Sequence, residues 1–486
     1  MPLCPPFGTA VPASPHGTVM CLPTLADVES YERREERARN VITCGYPRFV
    51  RNVLVSQAAT QAAQTCGRTG ALFPLVSPKA AQRLLAWAEI TDAHLDRVGD
   101  WVLVSFADGP ATERLAKLVQ HTGVLISSRQ AEAYLASRTV TDIEAQQAFT
   151  KIRTALQPYL APVRGADIVL ALAGMNAVAG AIAAVNGVQG PRGKKVWIQL
   201  GWLYVDTTRL LEKSPDTKHV FITDVTDLAA VEKILATGDV AGVFTETPNN
   251  PQLETADLTA LRALCDRYAA KLILDPSAVS LASVDVLPLA DIVCSSLTKY
   301  AASRGDVMAG LLAVNPTRPD AAELLTIAQD YIDAPHATDA QALAGQVSRL
   351  GEITAQFSAN AAEIARRLEG HPAILRVRTA QTAATAKHYA AVRRPGAGAG
   401  ALITLELKGE LRGVYDRLQV VKGPSFGLDF TLAAPYLWLA HFAEVTTPEG
   451  RAAIRRAGLD PDLLRVSIGL EPVEEIWAAL AHALKE

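Results

Sequence analysis

Apolar residues fall along this chain in short blocks separated by amphipathic stretches. Residues 101–106, 240–244, 271–274 and 292–294 are apolar runs of strand length, and such runs read as strands buried on both faces. Between the second and third runs, Thr255-Ala256-Asp257 opens a helix whose Leu258, Leu261, Leu264, Cys265 and Tyr268 share one face. Strand, helix and strand in this rhythm across residues 150–330 predict an α/β fold with a mostly parallel sheet covered on both sides.

The same pattern divides the rest of the chain. The first 50 residues, rich in proline and carrying the charged stretch from Tyr31 to Arg37, read as an arm that packs on a partner subunit. Residues 68–138 read as a small α/β unit. In it Ala71-Leu72-Phe73 forms a strand, Ser77 caps a helix opened by Pro78, 101–106 is a second strand, 110–121 a helix and Val124-Leu125-Ile126 a third strand. Residues 340–369 predict one long helix. Residues 395–400 form a glycine-rich loop with no helix after it, 401–405 and 464–468 are strands, and a helix starts at Val473. The expected division is an arm at 1–50, an inserted α/β unit at 51–149, a large domain at 150–335 and a C-terminal domain at 336–486.

Composition narrows the class. The chain has 486 residues, enough for about three domains on a length prior. Lys+Arg at 47 against Asp+Glu at 50 leaves a net charge of -3, which disfavours nucleic acid and anionic membrane as partners. No apolar stretch is long enough to span a bilayer, and the N-terminus lacks the layout of a signal peptide. Six cysteines without a C-x-x-C pair read as reduced thiols in a cytoplasmic protein. Nine histidines without metal-ligand spacing give no support for a metal.

The chemistry concentrates at two strand ends. The run 271–274 ends in Asp275, and the run 292–294 passes through hydroxyl residues to Lys299. A lysine and an aspartate so placed suit pyridoxal phosphate: the lysine forms the Schiff base and the carboxylate keeps the ring nitrogen protonated. In a parallel sheet both lie at the carboxyl ends of strands, where ligands bind.

These segments resemble the Cys/Met-metabolism enzymes that use pyridoxal phosphate, the group of cystathionine γ-synthase and the cystathionine lyases, over residues 18–50 and 150–486. Ser296-x-Thr298-Lys299-Tyr300 matches the motif around the family's Schiff-base lysine. The resemblance implies fold type I, Lys299 as Schiff base and proton shuttle, and Ser296 and Thr298 as hydroxyl donors to the cofactor phosphate. Glu246-Thr247-Pro248-Asn249-Asn250-Pro251 implies Asn250 on the ring hydroxyl, and Asp275 takes the ring-nitrogen position. Tyr204 is implied to stack on the ring, and Gly174-Met175 to present backbone N–H groups to the phosphate. Tyr46-Pro47-Arg48 is implied to reach the phosphate of a neighbouring subunit. Near the end, Arg465 is implied to clamp the substrate carboxylate, with Ser425 in an active-site turn. Pro276-Ser277 and Ser303-Arg304-Gly305-Asp306 depart from the family's usual residues. The Tyr-Pro-Arg-Phe form resembles the longer, fungal-type members.

On this reading the chain is a transferase catalysing γ-replacement on an O-acylated homoserine with a thiol or another nucleophile. Tyr204 and Tyr46 serve as assisting acid–base groups beside Lys299. A β- or γ-lyase acting on C–S bonds is the alternative, and a cofactor-binding but silent regulatory protein is the second. The expected assembly is a homodimer or homotetramer with a shared active site.

Overall fold

The structure is a computed structural model describing residues 4–46 and 50–485. Its centre is a seven-stranded sheet. The order is Val169–Ala171, Gly310–Val314, Ile292–Ser296, Lys271–Asp275, Val240–Glu246, Val196–Leu200 and Lys218–Ile222. Gly310–Val314 is antiparallel to both of its neighbours, and every other pairing in this sheet is parallel. The central strands are buried along their whole length, which explains why they read as continuous apolar runs rather than as alternation. The helix Gly174–Gln189 covers one face with an almost wholly buried alanine-rich surface. Leu258–Arg267 covers the other, opened by the Asp257 carboxylate accepting from Ala260 N–H at 3.0 Å.

A five-stranded sheet follows, in the order Ile374–Arg378, Leu402–Leu407, Leu464–Ser467, Leu432–Ala434 and Val421–Lys422. The long helix expected at 340–369 is interrupted. Ala337–Ala344 and Leu350–Leu368 are separate helices around a turn at Gly345 and Gln346. Gln346 leaves the helical path to hydrogen-bond Asp306 Oδ1 at 3.0 Å, a tertiary contact with no local signature.

Near the N-terminus, Ala71–Leu75, Trp101–Phe106 and His94–Val98 form an antiparallel sheet with Trp101–Phe106 in the middle. Ser77 caps Pro78–Trp87, its hydroxyl accepting from Ala80 N–H at 3.1 Å. The helix expected at 110–121 is Pro110–Thr122. The strand expected at 124–126 is not one: it makes a single bridge, Leu125 to Leu75. Its role is to continue the edge beside Pro74, a residue that has no N–H to offer a further strand.

The arm lies on its own chain. Thr18 N–H reaches Gly305 O at 2.8 Å, Leu22 N–H reaches Lys422 O at 2.8 Å, and Leu25 N–H reaches Asp416 Oδ1 at 2.8 Å. Among the described residues no helix is long and apolar enough to cross a membrane.

Candidate active site

Three parallel strands end together at one cavity. Glu246 and Asp275 are register partners at the ends of adjacent strands, and Ile292–Ser296 finishes beside them, three residues ahead of Lys299. The cavity measures about 330 Å³. Across it stands Arg465, carried by Leu464–Ser467 of the second sheet. The site therefore sits between the two sheets, at the carboxyl ends of the first.

Lys299 is buried, with Nζ donating to Ser425 Oγ at 2.7 Å. Its ammonium lies 4.5 Å from the centre of the Tyr46 ring and 4.9 Å from that of Phe426, a cation–π geometry. Ser425 also offers its carbonyl to Arg465 Nη2 at 2.9 Å. Arg465 Nη1 donates to Asn250 Oδ1 at 3.2 Å, which leaves the Asn250 amide as its remaining donor. Complete burial pulls the Arg465 guanidinium down to about 10, opposed by Tyr436, Tyr300 and Glu246.

The two carboxyl groups are held apart in character. Burial pushes Asp275 up to about 6, while hydrogen bonds from the Ser277 hydroxyl and N–H pull it back. Glu246 is raised well above the ordinary range, first by burial and then by the Asp275 charge, with Arg465 opposing. Its Oε1 accepts Tyr204 N–H at 2.5 Å, so Glu246 fixes the turn that presents Tyr204 to the cavity. The Met175 sulfur is met by the Thr207 hydroxyl at 3.8 Å.

Gly174 opens its helix directly against Ser296. A Cβ at Gly174 would stand 2.9 Å from Ser296 Cβ, so only glycine permits this approach. Ser296 Oγ is buried and has no hydrogen-bond partner among the described residues. A partnerless buried hydroxyl beside a helix N-terminus of free N–H groups suits an anion such as phosphate. Thr298 corrects the sequence expectation. Its hydroxyl accepts Ala309 N–H at 3.1 Å and donates to Ala309 O at 3.3 Å, closing a backbone corner instead of facing the cavity. Arg48 lies outside the described residues.

The structure brings Lys299, Asp275, Asn250, Gly174, Met175, Ser296, Tyr204, Tyr46, Ser425 and Arg465 to one cavity. Tyr46, which the resemblance assigned to a neighbouring subunit, stands against Lys299 of its own chain. Sequence reasoning missed Glu246, which opens the 246–251 turn, and Ser277, which was visible only as a departure from the family's usual residue. It also missed the cavity's apolar wall, to which Phe73, Val119 and Leu125 contribute beside Met308 and Leu439.

Comparison with known proteins accounts for this arrangement. Residues 108–485 match the model of the Cys/Met metabolism PLP-dependent enzyme family. The chain is 37% identical over 477 residues to the L-2-amino-4-chloropent-4-enoate dechlorinase/desaturase of Streptantibioticus cattleyicolor, covering 96% of this chain and 95% of that protein. It is 33% identical over 336 residues to cystathionine gamma-synthase of Neurospora crassa, covering 67% of this chain but only 53% of that protein. Among solved structures, cystathionine gamma synthase from Xanthomonas oryzae pv. oryzae in complex with cystathionine superposes with a TM-score of 0.60 at 25% identity, over 71% of this chain and 88% of that one. The chain belongs to the Cys/Met metabolism PLP-dependent enzymes, with fold type I and pyridoxal phosphate as cofactor. The residues present fit that group: a strand-end lysine and carboxylate, and an anion cradle at Gly174 and Ser296.

Proposed function

We propose that this enzyme removes a γ-substituent from an α-amino acid by elimination, on a substrate whose side chain is short and apolar. The observation carrying this reading is the cavity wall. Phe73, part of the apolar wall, and Arg51, whose guanidinium lies 5.3 Å from the Phe73 ring centre, line the cavity yet precede residue 108, where the family match begins. The match to the dechlorinase/desaturase spans 96% of the chain, leaving little room to omit those residues.

Asp275 would pair with the cofactor's ring nitrogen, Gly174, Met175 and Ser296 would hold its phosphate, and Tyr204 would cover one ring face. Asn250 would meet the ring hydroxyl. When bound, the group supplies an electron sink for negative charge at the substrate Cα. Arg465 receives the α-carboxylate, a bidentate partner for a planar guanidinium. Lys299 Nζ takes the proton from Cα. A second proton leaves Cβ, and the γ-substituent departs with its bonding electron pair. Tyr46 and Tyr204 are the acid–base groups for the later proton transfers. The six unbridged cysteines suit a reducing, cytoplasmic compartment.

γ-Replacement on an O-acylated homoserine by a thiol is the second reading, favoured by the similarity to cystathionine gamma-synthase. A silent regulatory role is disfavoured, since Lys299, Asp275 and Arg465 converge on one cavity. The test incubates holoenzyme with L-2-amino-4-chloropent-4-enoate and with O-acyl-homoserines, each with and without cysteine. Chloride release with an unsaturated amino-acid product, independent of cysteine, is expected. A thioether formed only with cysteine moves the assignment to γ-replacement. Sulfide, ammonia and pyruvate formed from cysteine itself move it to a C–S lyase, and no turnover of any substrate favours the silent role.

A further inference from the structure

The loop that follows Lys299 is gripped from outside the large sheet. After Tyr300 the chain runs through Ser303, Arg304, Gly305 and Asp306 before returning as Gly310–Val314. Arg129, on the helix Ser128–Leu135, donates through Nη2 to Asp306 Oδ2 at 2.7 Å and through Nη1 to the Asp306 carbonyl. Gln346 Nε2 takes the other oxygen, Oδ1, at 3.0 Å, and Gln346 Oε1 accepts Arg304 N–H at 3.1 Å. Thr18 of the arm binds Gly305 O through both N–H and hydroxyl, each at 2.8 Å. Arg129 and Asp306 are mostly screened from solvent, at 13% and 21% side-chain exposure, and Asp339 at 5% flanks the guanidinium at 3.8 Å.

This loop is mechanically continuous with the lysine. Ala309, three residues beyond Asp306, accepts N–H bonds from Leu297 at 2.9 Å and Thr298 at 3.2 Å, and it holds the Thr298 hydroxyl. Met308, between Asp306 and Ala309, lines the cavity. The path from Arg129 to Lys299 therefore runs through Asp306, Ala309 and Thr298, each step a hydrogen bond or a short covalent link. The nearby titratable groups facing Arg129 are Asp306, Asp339 and His16, whose imidazole is held below its ordinary pKa by burial and by Arg129 and is met by Ser128 Oγ at 3.0 Å.

We propose that Arg129 is a positioning residue for Lys299: by clamping Asp306 it fixes the 303–309 loop, and with it the Thr298–Lys299 corner at the cavity. A partly buried guanidinium that donates once to a carboxylate and once to the same residue's backbone carbonyl holds both the side chain and the chain path, which a single charge contact does not. Loss of the guanidinium removes one of the three holds on the loop and deletes no side chain that lines the cavity.

Three variants test this: Arg129→Gln, Asp306→Asn, and the exchanged pair R129D with D306R. In cofactor-free protein, hydrogen–deuterium exchange of the amides at 300–309 is expected to rise at least tenfold in Arg129→Gln, with the sheet strands unchanged. In holoenzyme, kcat is expected to fall at least tenfold with KM moved less than threefold. The pH midpoint of the cofactor's visible absorption should also shift, since that band reports the setting of Lys299. The exchanged pair should recover a substantial part of both. If Arg129→Gln lowers thermal stability alone, with exchange at 300–309, kcat and the absorption midpoint as in wild type, Arg129 is a structural anchor and the proposal is wrong. Should Arg129→Gln fail to fold, Asp306→Asn decides between the same outcomes.

Discussion

Ser277 donates its hydroxyl to Asp275 Oδ1 at 2.5 Å and accepts Ser296 N–H at 2.8 Å through the same oxygen. One side chain thus ties the end of the aspartate strand to the end of the strand leading to Lys299. The bond also marks Asp275 Oδ1 as occupied, so Oδ2 is the oxygen that would meet the ring nitrogen in the proposed site. Ser277 stands where the family usually carries a different residue, and its hydroxyl explains how the chain keeps the carboxylate oriented.

Asp275 predicts an unusual dependence of stability on pH in cofactor-free protein. Burial raises its pKa from 3.8 to about 6, so the folded state binds the proton more tightly than the unfolded chain does. Stability from this group is complete below pH 4 and is lost as pH rises through 6. The loss amounts to about 3 kcal/mol, from roughly two units at about 1.4 kcal/mol each. Asp275→Asn is therefore expected to stabilise the cofactor-free protein at pH 7 by a few kcal/mol at most and to flatten the decline between pH 4 and 6, while abolishing turnover. Urea unfolding at pH 4, 5, 6 and 7 checks this. An unchanged slope in the variant assigns the effect to another group.

Gly174 predicts a cofactor-binding defect from one methyl group. The added Cβ would meet Ser296 Cβ at 2.9 Å and Ser296 Cα at 3.2 Å, so the strand end or the helix start must move. Gly174→Ala should weaken cofactor retention at least tenfold, measured by visible absorbance after dialysis. The cofactor-free protein should lose about 1–3 kcal/mol of stability, the usual cost of overpacking. Retention equal to wild type would place the phosphate elsewhere.

Much of this site was legible because it is built from strand ends. Runs such as Val240–Glu246 and Lys271–Asp275 are buried throughout, so their apolar character announces them and their last residues are the chemical ones. His94–Val98 was not legible, because four of its five residues are exposed or half-exposed and give no strand signal. The break at Gly345 was hidden for a different reason: both flanking helices keep helical periodicity, and the interruption serves a contact with Asp306. Thr298 shows the limit of motif transfer. Its position matches, yet its hydroxyl is committed to Ala309. No local pattern could show that Phe73 and Leu125, far from the motifs, would wall the cavity.

Arg465 predicts a separation of binding from chemistry. Its guanidinium is oriented by Asn250 and Ser425 and lies 4.9 Å from the Tyr436 ring centre. Arg465→Lys keeps a charge but loses the planar fork and its stacking. KM for the amino acid should rise at least tenfold while kcat falls less. A change in kcat alone would mean that Arg465 does not meet the substrate carboxylate.

Tyr46 predicts which chain completes the site. Its ring lies 4.5 Å from Lys299 Nζ of the same chain, and the segment carrying it is closed at its base: Val53 N–H reaches Thr43 O at 3.0 Å, and Asn52 Nδ2 reaches Pro15 O at 2.7 Å. Thr18 and Leu22 fasten the preceding arm to Gly305 and Lys422. These bonds tie the segment to its own arm, and the arm to its own body, which favours Tyr46 completing the site of its own chain. Tyr46→Ala and Lys299→Ala should each be inactive. When the two variants are co-expressed, their mixed assemblies should be no more active than either alone, because every site keeps one defect. If the tyrosine instead crosses to a partner, each mixed dimer regains one intact site, and random pairing restores about a quarter of wild-type activity. Recovery near that level would assign Tyr46 to the neighbouring chain's lysine.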